Sequence, residues 1–288
     1  MPKRTTAPKS FTTPAGEIHL GDNLPILQSL PSASVDLVYI DPPFNTGQPQ
    51  KRTRITARRA SPHTAAKTRN GFGNARYEVT EHASPHYADT FSDYLAFLRP
   101  RLVEAHRLLT PTGSLFLHLD PREVHYAKVL LDEIFGRAHF RNEIIWAYDY
   151  GGKPRDRWPA KHDNILWYTR SPTHYTFHYD AIDRIPYMAP DLVGPEKAAR
   201  GKIPTDVWFI TVVPTNSREK TGYPTQKPLK LLERILRVHS SPGDLVLDFF
   251  AGSGTTGMAA ANLGRRFLLI DSSHDAVRIM RKRLGPSL

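Results

Sequence analysis

The sequence predicts an α/β fold: an open, largely parallel sheet with helices on both faces, circularly permuted, with an insertion between its two halves. Three observations predict it. Through the first half, β-branched apolar runs alternate with stretches of helical spacing, the pattern of a doubly wound sheet. One such run, Val35 to Ile40, stops at Asp41-Pro42-Pro43-Phe44, where two prolines cannot donate to a ladder. A second, Leu245 to Asp248, leads into a glycine turn so late in the chain that its strand must pair with strands that came earlier.

Taken in order, the basic, Pro/Thr-rich start reads as a flexible tail over residues 1–16, with no apolar segment of a secretory signal behind it. Ile18 to Leu24 reads as a short strand and polar turn, and Leu24 to Leu30 as a helix stopped by Pro31. The strand Val35–Ile40 completes a parallel β-turn-helix-β unit. Gln48 to Arg76 carries eight Lys and Arg and no acid, without apolar periodicity. It reads as a long mobile basic loop, part of a region spanning 45–90. Phe91 to Leu109 has helical spacing around Pro100, Thr110 to Gly113 reads as a turn, and Ser114 to Asp120 as a strand. A helix over Val124–Phe135, stopped by Gly136, and a strand over Asn142–Tyr148 follow. From about 150 to 221 the pattern breaks into aromatics, prolines and cations, with Asn164–Tyr168 and Tyr175–Tyr179 reading as a hairpin on an inserted region. The last part, 222–288, is strand, glycine turn and helix (Asp244 to Ala260), then a strand over Arg266–Ile270 and a closing helix over His274–Leu284.

Composition narrows the classes. The net charge of +11 and pI near 9.8 favour a polyanionic partner, nucleic acid before membrane. No apolar run approaches the roughly 18 residues of a membrane span. The absence of cysteine removes disulfides, thiolate metal sites and thiol nucleophiles. Thirteen histidines invite a metal reading, but His82/His86 and His118/His125 lack a plausible ligand set, and no metal site is expected.

Two constellations carry chemistry. Asp41 falls at the carboxyl end of its strand, where α/β folds place ligand crevices. The turn after it is rich in acceptors and poor in donors, and Phe44 offers a flat face beside them. Acceptors next to a ring suit an exocyclic amine on a planar base. Gly252, Gly254 and Gly257 satisfy G-x-G-x-x-G, followed by Asp271 at the end of the next strand. Free helix N–H groups and a carboxylate for ribose hydroxyls suit an adenosine-bearing cofactor, which leaves NAD and S-adenosylmethionine both open.

Asp41-Pro42-Pro43-Phe44 with Asn45-Thr46-Gly47 resembles the catalytic motif of the β-group DNA amino-methyltransferases. Phe250-Ala251-Gly252-Ser253-Gly254 resembles their S-adenosylmethionine motif, and Thr225-Gln226-Lys227-Pro228-Leu229 the motif that precedes it. Catalytic motif first, recognition region next and cofactor motif last is that group's order, and the resemblance spans about Glu17 to Leu284.

The resemblance implies a Rossmann-like methyltransferase sheet with a catalytic half (17–149), a target-recognition insertion (150–221) and an S-adenosylmethionine half (222–288). It implies that Asp41 and Pro42 accept the N–H bonds of a flipped base, with Pro43 stiffening the turn and Phe44 stacking on the ring. Asp22, Lys227, Asp248, Phe250, Gly252, Gly254, Thr255 and Asp271 would bind S-adenosylmethionine: Asp22 facing its adenine and Asp271 its ribose. Arg52, Arg54, Arg58 and Arg59 in the basic loop, and Lys153, Arg155 and Arg157 in the insertion, would contact DNA phosphates. Adenine N6 is expected ahead of cytosine N4, because many N4 enzymes begin the motif with Ser. Double-stranded DNA, a cognate restriction endonuclease, a homodimer and a bacterial cytoplasmic, nucleoid-associated setting are the implied partners and place. A dinucleotide-dependent oxidoreductase and a non-catalytic DNA-binding protein are the competing classes.

Overall fold

The computed structural model describes residues 9–45, 50–51, 54–59, 68–70, 76–82, 86–87 and 91–285. Among these residues nine strands form the main sheet: β1 (Lys9–Thr13), β2 (Gly16–Leu20), β3 (Val35–Ile40), β9 (Leu109–Leu119), β10 (Phe140–Ala147), β11 (His162–Thr169), β12 (Val207–Phe209), β13 (Leu245–Asp248) and β14 (Arg266–Asp271). Their spatial order is β1-β2-β14-β13-β3-β9-β11-β10-β12. β2, β14, β13, β3 and β9 run parallel to one another. The permutation expected from sequence is present as a register: Val246 lies beside Leu37 and Leu247 beside Val38, so a strand from the end of the chain is zipped onto one from its beginning.

The β3 side chains alternate between two cores, as a strand buried on both faces requires. Leu37 and Tyr39 join Phe116, Trp167 and the buried faces of α5 (Leu229–His239), α6 (Thr255–Asn262) and α7 (His274–Leu284). Val38 and Ile40 join Leu115, Leu117 and the buried faces of α1 (Asn23–Ser29), α2 (Tyr94–Leu108) and α3 (Val124–Phe135). Asp93 caps α2 by accepting from Ala96 N at 2.8 Å, and that helix continues through Pro100.

Four expectations are corrected. The flexible tail does not extend to residue 16, because β1 pairs residue for residue with β2 and Phe11 packs on the core beneath the Arg281 guanidinium, 4.3 Å from its ring centre. The turn at 110–113 lies inside β9 as an irregularity. Val35 faces Leu109 while Leu37 already faces Ser114, and Gly113 lets β9 pass close to the Asp36 carbonyl. Asn164–Tyr168 and Tyr175–Tyr179 do not form a hairpin. The first belongs to β11, which runs antiparallel between β9 and β10 in the main sheet, and no strand covers the second. The basic region 45–90 is not one long loop. β5 (Arg54–Arg59), β6 (Thr68–Asn70) and β7 (Arg76–His82) make a three-stranded antiparallel sheet, and β4 (Gln50–Lys51) pairs with β8 (His86–Tyr87). Its register sets Arg58 opposite Glu78.

Candidate active site

Asp41 to Phe44 leave the carboxyl end of β3 between β13 and β9, and a cavity of about 440 Å³ opens there. Pro42 and Pro43 end the ladder, and Asn45 then adopts φ 54°. Its side chain ties the turn down on both sides: Nδ2 donates to Glu123 Oε1 at 2.8 Å and Oδ1 accepts from Phe91 N at 3.0 Å. A left-handed asparagine with both ends bonded fixes where the motif points.

Asp41 has two unlike oxygens. Oδ2 accepts from Lys227 Nζ at 2.5 Å, while Oδ1 is buried with no hydrogen-bond partner among the described residues. A buried carboxylate oxygen with an open acceptor position is costly unless a donor arrives. Lys227 also sits 4.9 Å from the centre of the Phe44 ring. The lysine is itself buried, at 8% exposure, and its segment is fixed locally. Thr225 takes φ 56°, Gln226 Oε1 accepts from Thr221 N at 2.9 Å, and Gln226 Nε2 donates to Glu219 O at 2.8 Å. Glu219 Oε1 in turn accepts from Leu229 N at 2.7 Å and so caps α5. Lys227 is therefore no exposed lysine at a helix start; its charge meets Asp41.

The opposite wall is the glycine turn. Gly252 N donates to Asp271 Oδ2 at 2.8 Å, and Ser273 N donates to Oδ1 at 2.8 Å. Each oxygen keeps a lone pair for a further donor such as a hydroxyl. Desolvation pushes the Asp271 carboxyl up to about 6 against those two bonds. Gly254 is the turn's conformational requirement. Its φ is 75°, and a Cβ there would come within 2.7 Å of Met280 Cγ. Asp248, almost fully buried, turns inward onto the same segment, accepting from Phe250 N at 3.0 Å and from Thr256 Oγ1 at 2.6 Å. Burial pushes its carboxyl up to about 7, with the two bonds opposing and Asp41 and Asp271 adding to the rise.

Asp22 closes the third side. It caps α1 by accepting from Leu24 N at 3.2 Å and also accepts from Arg101 Nη2 at 3.1 Å. Asp41, Pro42, Pro43, Phe44, Asp22, Lys227, Asp248, Phe250, Gly252, Thr255 and Asp271 all line the one cavity. Gly254 does not line it; it shapes the turn from behind. The sequence reading missed Asn23, Phe97, Arg101 and Tyr223 on the same walls. Asn23 ties the cofactor turn to α2: its Nδ2 donates to Phe249 O at 2.7 Å and its Oδ1 accepts from Arg101 Nε at 2.7 Å. Only its place in the polar turn after β2 could have signalled it.

Of the basic residues, Arg52 lies outside the described residues. Arg54, Arg58 and Arg59 lie along β5, and Arg59 is exposed. Lys153, Arg155 and Arg157 are exposed between β10 and β11. β10 runs in the same direction as β3, so this segment emerges at the sheet edge that carries Asp41. Among the described residues, no three or more His, Asp or Glu side chains converge as a metal site.

The cavity joins an unpaired carboxylate oxygen beside an aromatic ring to a turn of backbone donors and a hydroxyl-accepting carboxylate. Comparison with known proteins gives this pairing a context. A family profile for N6/N4 methyltransferases, described as DNA methylase, matches residues 35–282. The type II methyltransferase M.HpaI of Haemophilus parainfluenzae is 30% identical over 259 residues, covering 90% of this chain and 70% of that protein. The DNA adenine methyltransferase YhdJ of Escherichia coli is 29% identical over 290 residues, covering 96% and 85%. Among solved structures, the cytosine-N4-specific PvuII DNA methyltransferase superposes with a TM-score of 0.63 at 18% identity, over 96% of this chain and 89% of that one. The M1.HpyAVI–SAM complex does so with a TM-score of 0.58 at 23% identity, over 93% and 98%. At these identities the structures speak for the fold.

Proposed function

The chain belongs to the β-group family of N6/N4 DNA amino-methyltransferases, and from that premise we propose that it methylates the N6 amine of a flipped adenine at a specific DNA site, using S-adenosylmethionine. The observation that carries the proposal is the buried Asp41 Oδ1, without a hydrogen-bond partner among the described residues, on the wall facing the glycine turn.

The residues suit the cofactor. Asp271 has lone pairs left for ribose hydroxyls, Asp22 and Phe250 flank an adenine position, and Gly252 and Thr255 bring backbone close to the amino-acid part. When bound, S-adenosylmethionine supplies a methyl group on positive sulfur. The chain's own task is the amine, a poor nucleophile because its lone pair is delocalised into the ring. Asp41 Oδ1 and the Pro42 carbonyl accept its two N–H bonds, which favours a more tetrahedral nitrogen and holds it in line. Lys227, at Oδ2, keeps the carboxylate in one orientation, which makes it a partner of Asp41 as much as of the cofactor. Phe44 gives the base a stacking face.

Adenine is preferred because the motif begins with Asp, and the adenine-specific relative YhdJ is aligned over nearly the whole chain. The basic residues Arg52, Arg54, Arg58, Arg59, Lys153, Arg155 and Arg157 serve the DNA backbone, and the region 150–221, outside its main-sheet strands β11 and β12, reads the target. A cognate restriction endonuclease, a homodimeric assembly and a cytoplasmic setting belong to the same proposal. No helix among the described residues is long and apolar enough to cross a membrane. The deciding experiment incubates the protein with unmethylated duplex DNA and S-adenosylmethionine, digests the DNA to nucleosides and identifies the product by mass spectrometry. N6-methyladenine is expected. N4-methylcytosine alone would overturn the base assignment, and no methylated nucleoside at all would overturn the reading.

A further inference from the structure

We propose that His118 is a positioning residue for methyl transfer: held by Tyr39 and Asp163, it fixes the Phe44 ring against which the target base rests. The inference builds on the methyltransferase reading above. His118 lies fully buried on β9, beneath the catalytic turn. Its ring centre is 6.1 Å from that of Phe44 with 29° between the planes, an offset stack. Tyr39 and Trp146 pack edge-on against it at 6.1 and 5.4 Å.

The imidazole is bonded at both nitrogens. Tyr39 Oη lies 2.7 Å from Nδ1, and Nε2 lies 3.1 Å from Asp163 Oδ2. Tyr148 donates to Asp163 Oδ1 at 3.0 Å. A proton order with Tyr39 donating and Asp163 accepting satisfies the whole set. Burial, then the charges of Asp41, Asp248 and Asp163, hold the Tyr39 phenol well above its usual range, so it keeps its proton and donates to Nδ1. Nε2 then donates to Asp163. Burial alone would raise that carboxyl, but His118, then the charge of Lys227 and the bond from Tyr148, outweigh it and hold it below its usual range. A buried polar set whose every member is bonded is rigid. An aliphatic core residue would pack here without needing three polar partners. What the set adds is a fixed ring plane behind Phe44, while Asn45 fixes the backbone of the same turn.

The experiment compares wild type, His118→Ala, His118→Gln and Asp163→Asn as full chains, using unmethylated genomic DNA and tritiated S-adenosylmethionine, with cofactor affinity from calorimetry and folding checked by circular dichroism. His118→Ala is expected to lower kcat by about 30- to 100-fold, the size expected of a small misplacement, with cofactor affinity within about twofold. Asp163→Asn should lower kcat less. His118→Gln, whose planar amide can donate to Asp163 and lie against Phe44, should recover about tenfold of the loss. The inference is overturned if His118→Ala keeps kcat within about threefold of wild type, if kcat and cofactor affinity fall together, or if Gln serves no better than Ala. A wild-type protein that transfers no methyl group overturns the methylation reading, and this inference with it; the variant outcomes above overturn only the role of His118.

Discussion

Replacing Asp248 with Asn should change how stability depends on pH. The carboxyl is 3% exposed and titrates near 7 in the folded chain, against 3.8 for the unreplaced group in water. A raised folded value means that the native state holds the proton over a range where the unfolded state has lost it. Stability from this group is therefore fullest at low pH, falls as pH rises from about 4 to 7, and levels off above. Integrating between these two values, wild type loses about 2–3 kcal/mol between pH 5 and pH 8 through Asp248 alone. Asn cannot ionise and lacks that loss, while its Oδ1 can still accept from Thr256 or Phe250. The other titrating groups contribute nearly equally to both proteins. The stability difference between Asp248→Asn and wild type should thus move in the variant's favour by about 2–3 kcal/mol from pH 5 to pH 8, or about 5 °C in melting temperature for a chain of this size. Urea denaturation and thermal melts at the two pH values measure it. Parallel curves, with the difference changing by less than about 0.5 kcal/mol, would refute the buried-proton reasoning.

Three further outcomes are expected. Asp41→Ala should cut kcat by about two to three orders of magnitude while leaving S-adenosylmethionine affinity within about threefold; transfer within about tenfold of wild type would sink the acceptor role. Asp271→Ala should weaken S-adenosylmethionine binding by about 1–3 kcal/mol, the cost of lost bonds to a charged group, and unchanged affinity in calorimetry would reject the ribose role. Changing Arg52, Arg54, Arg58 and Arg59 together to Ala should weaken DNA binding and flatten the slope of log affinity against log salt by about 3.6, with each arginine neutralising one phosphate. An unchanged slope would mean that these cations face solvent in the complex.

Elements whose signals are local were legible in the sequence. The helices Val124–Phe135 and His274–Leu284 have the expected bounds, because apolar spacing and a following glycine or preceding serine mark both ends. The two motifs at Asp41 and Gly252 were legible because proline fixes the backbone, and glycine admits turns other residues rarely take, whatever surrounds them. Elements set by distant partners were not. β11 reads the same as a hairpin strand in an insertion; only its pairing with Leu119 and Ile144 places it in the sheet. β5 and β7 carry charges where alternation would otherwise show, and β1 owes its order to β2. The same limit hid the site's contacts. Lys227 and Asp41 are 186 residues apart, and His118 and Asp163 meet through the register of β11 on β9. In sequence His118 invites only a metal role and shows no carboxylate partner; the sheet supplies Asp163.

The permuted order of the motifs is no obstacle to one site, because the sheet and not the chain order makes the crevice. From β13 the chain crosses by α6 to β14 on one side; from β3 it passes through α2 to β9 on the other. The apolar face of α6 joins one core and that of α2 the opposite core. The two connections thus leave adjacent parallel strands in opposite directions and over opposite faces. Neither helix covers the gap between the strand ends, and a crevice opens at that switch point. Asp41 stands at the end of one strand, and the glycine turn follows the end of the other. What the geometry requires is that β3 and β13 be neighbours, and the register of Leu37 with Val246 meets that requirement across 209 residues of chain, the separation that Asp36 and Leu245 also span when the Asp36 carboxylate accepts from Leu245 N at 2.9 Å. That bond sits at the opposite end of the strand pair from the cavity. It anchors the two halves of the chain without drawing on any group the chemistry uses.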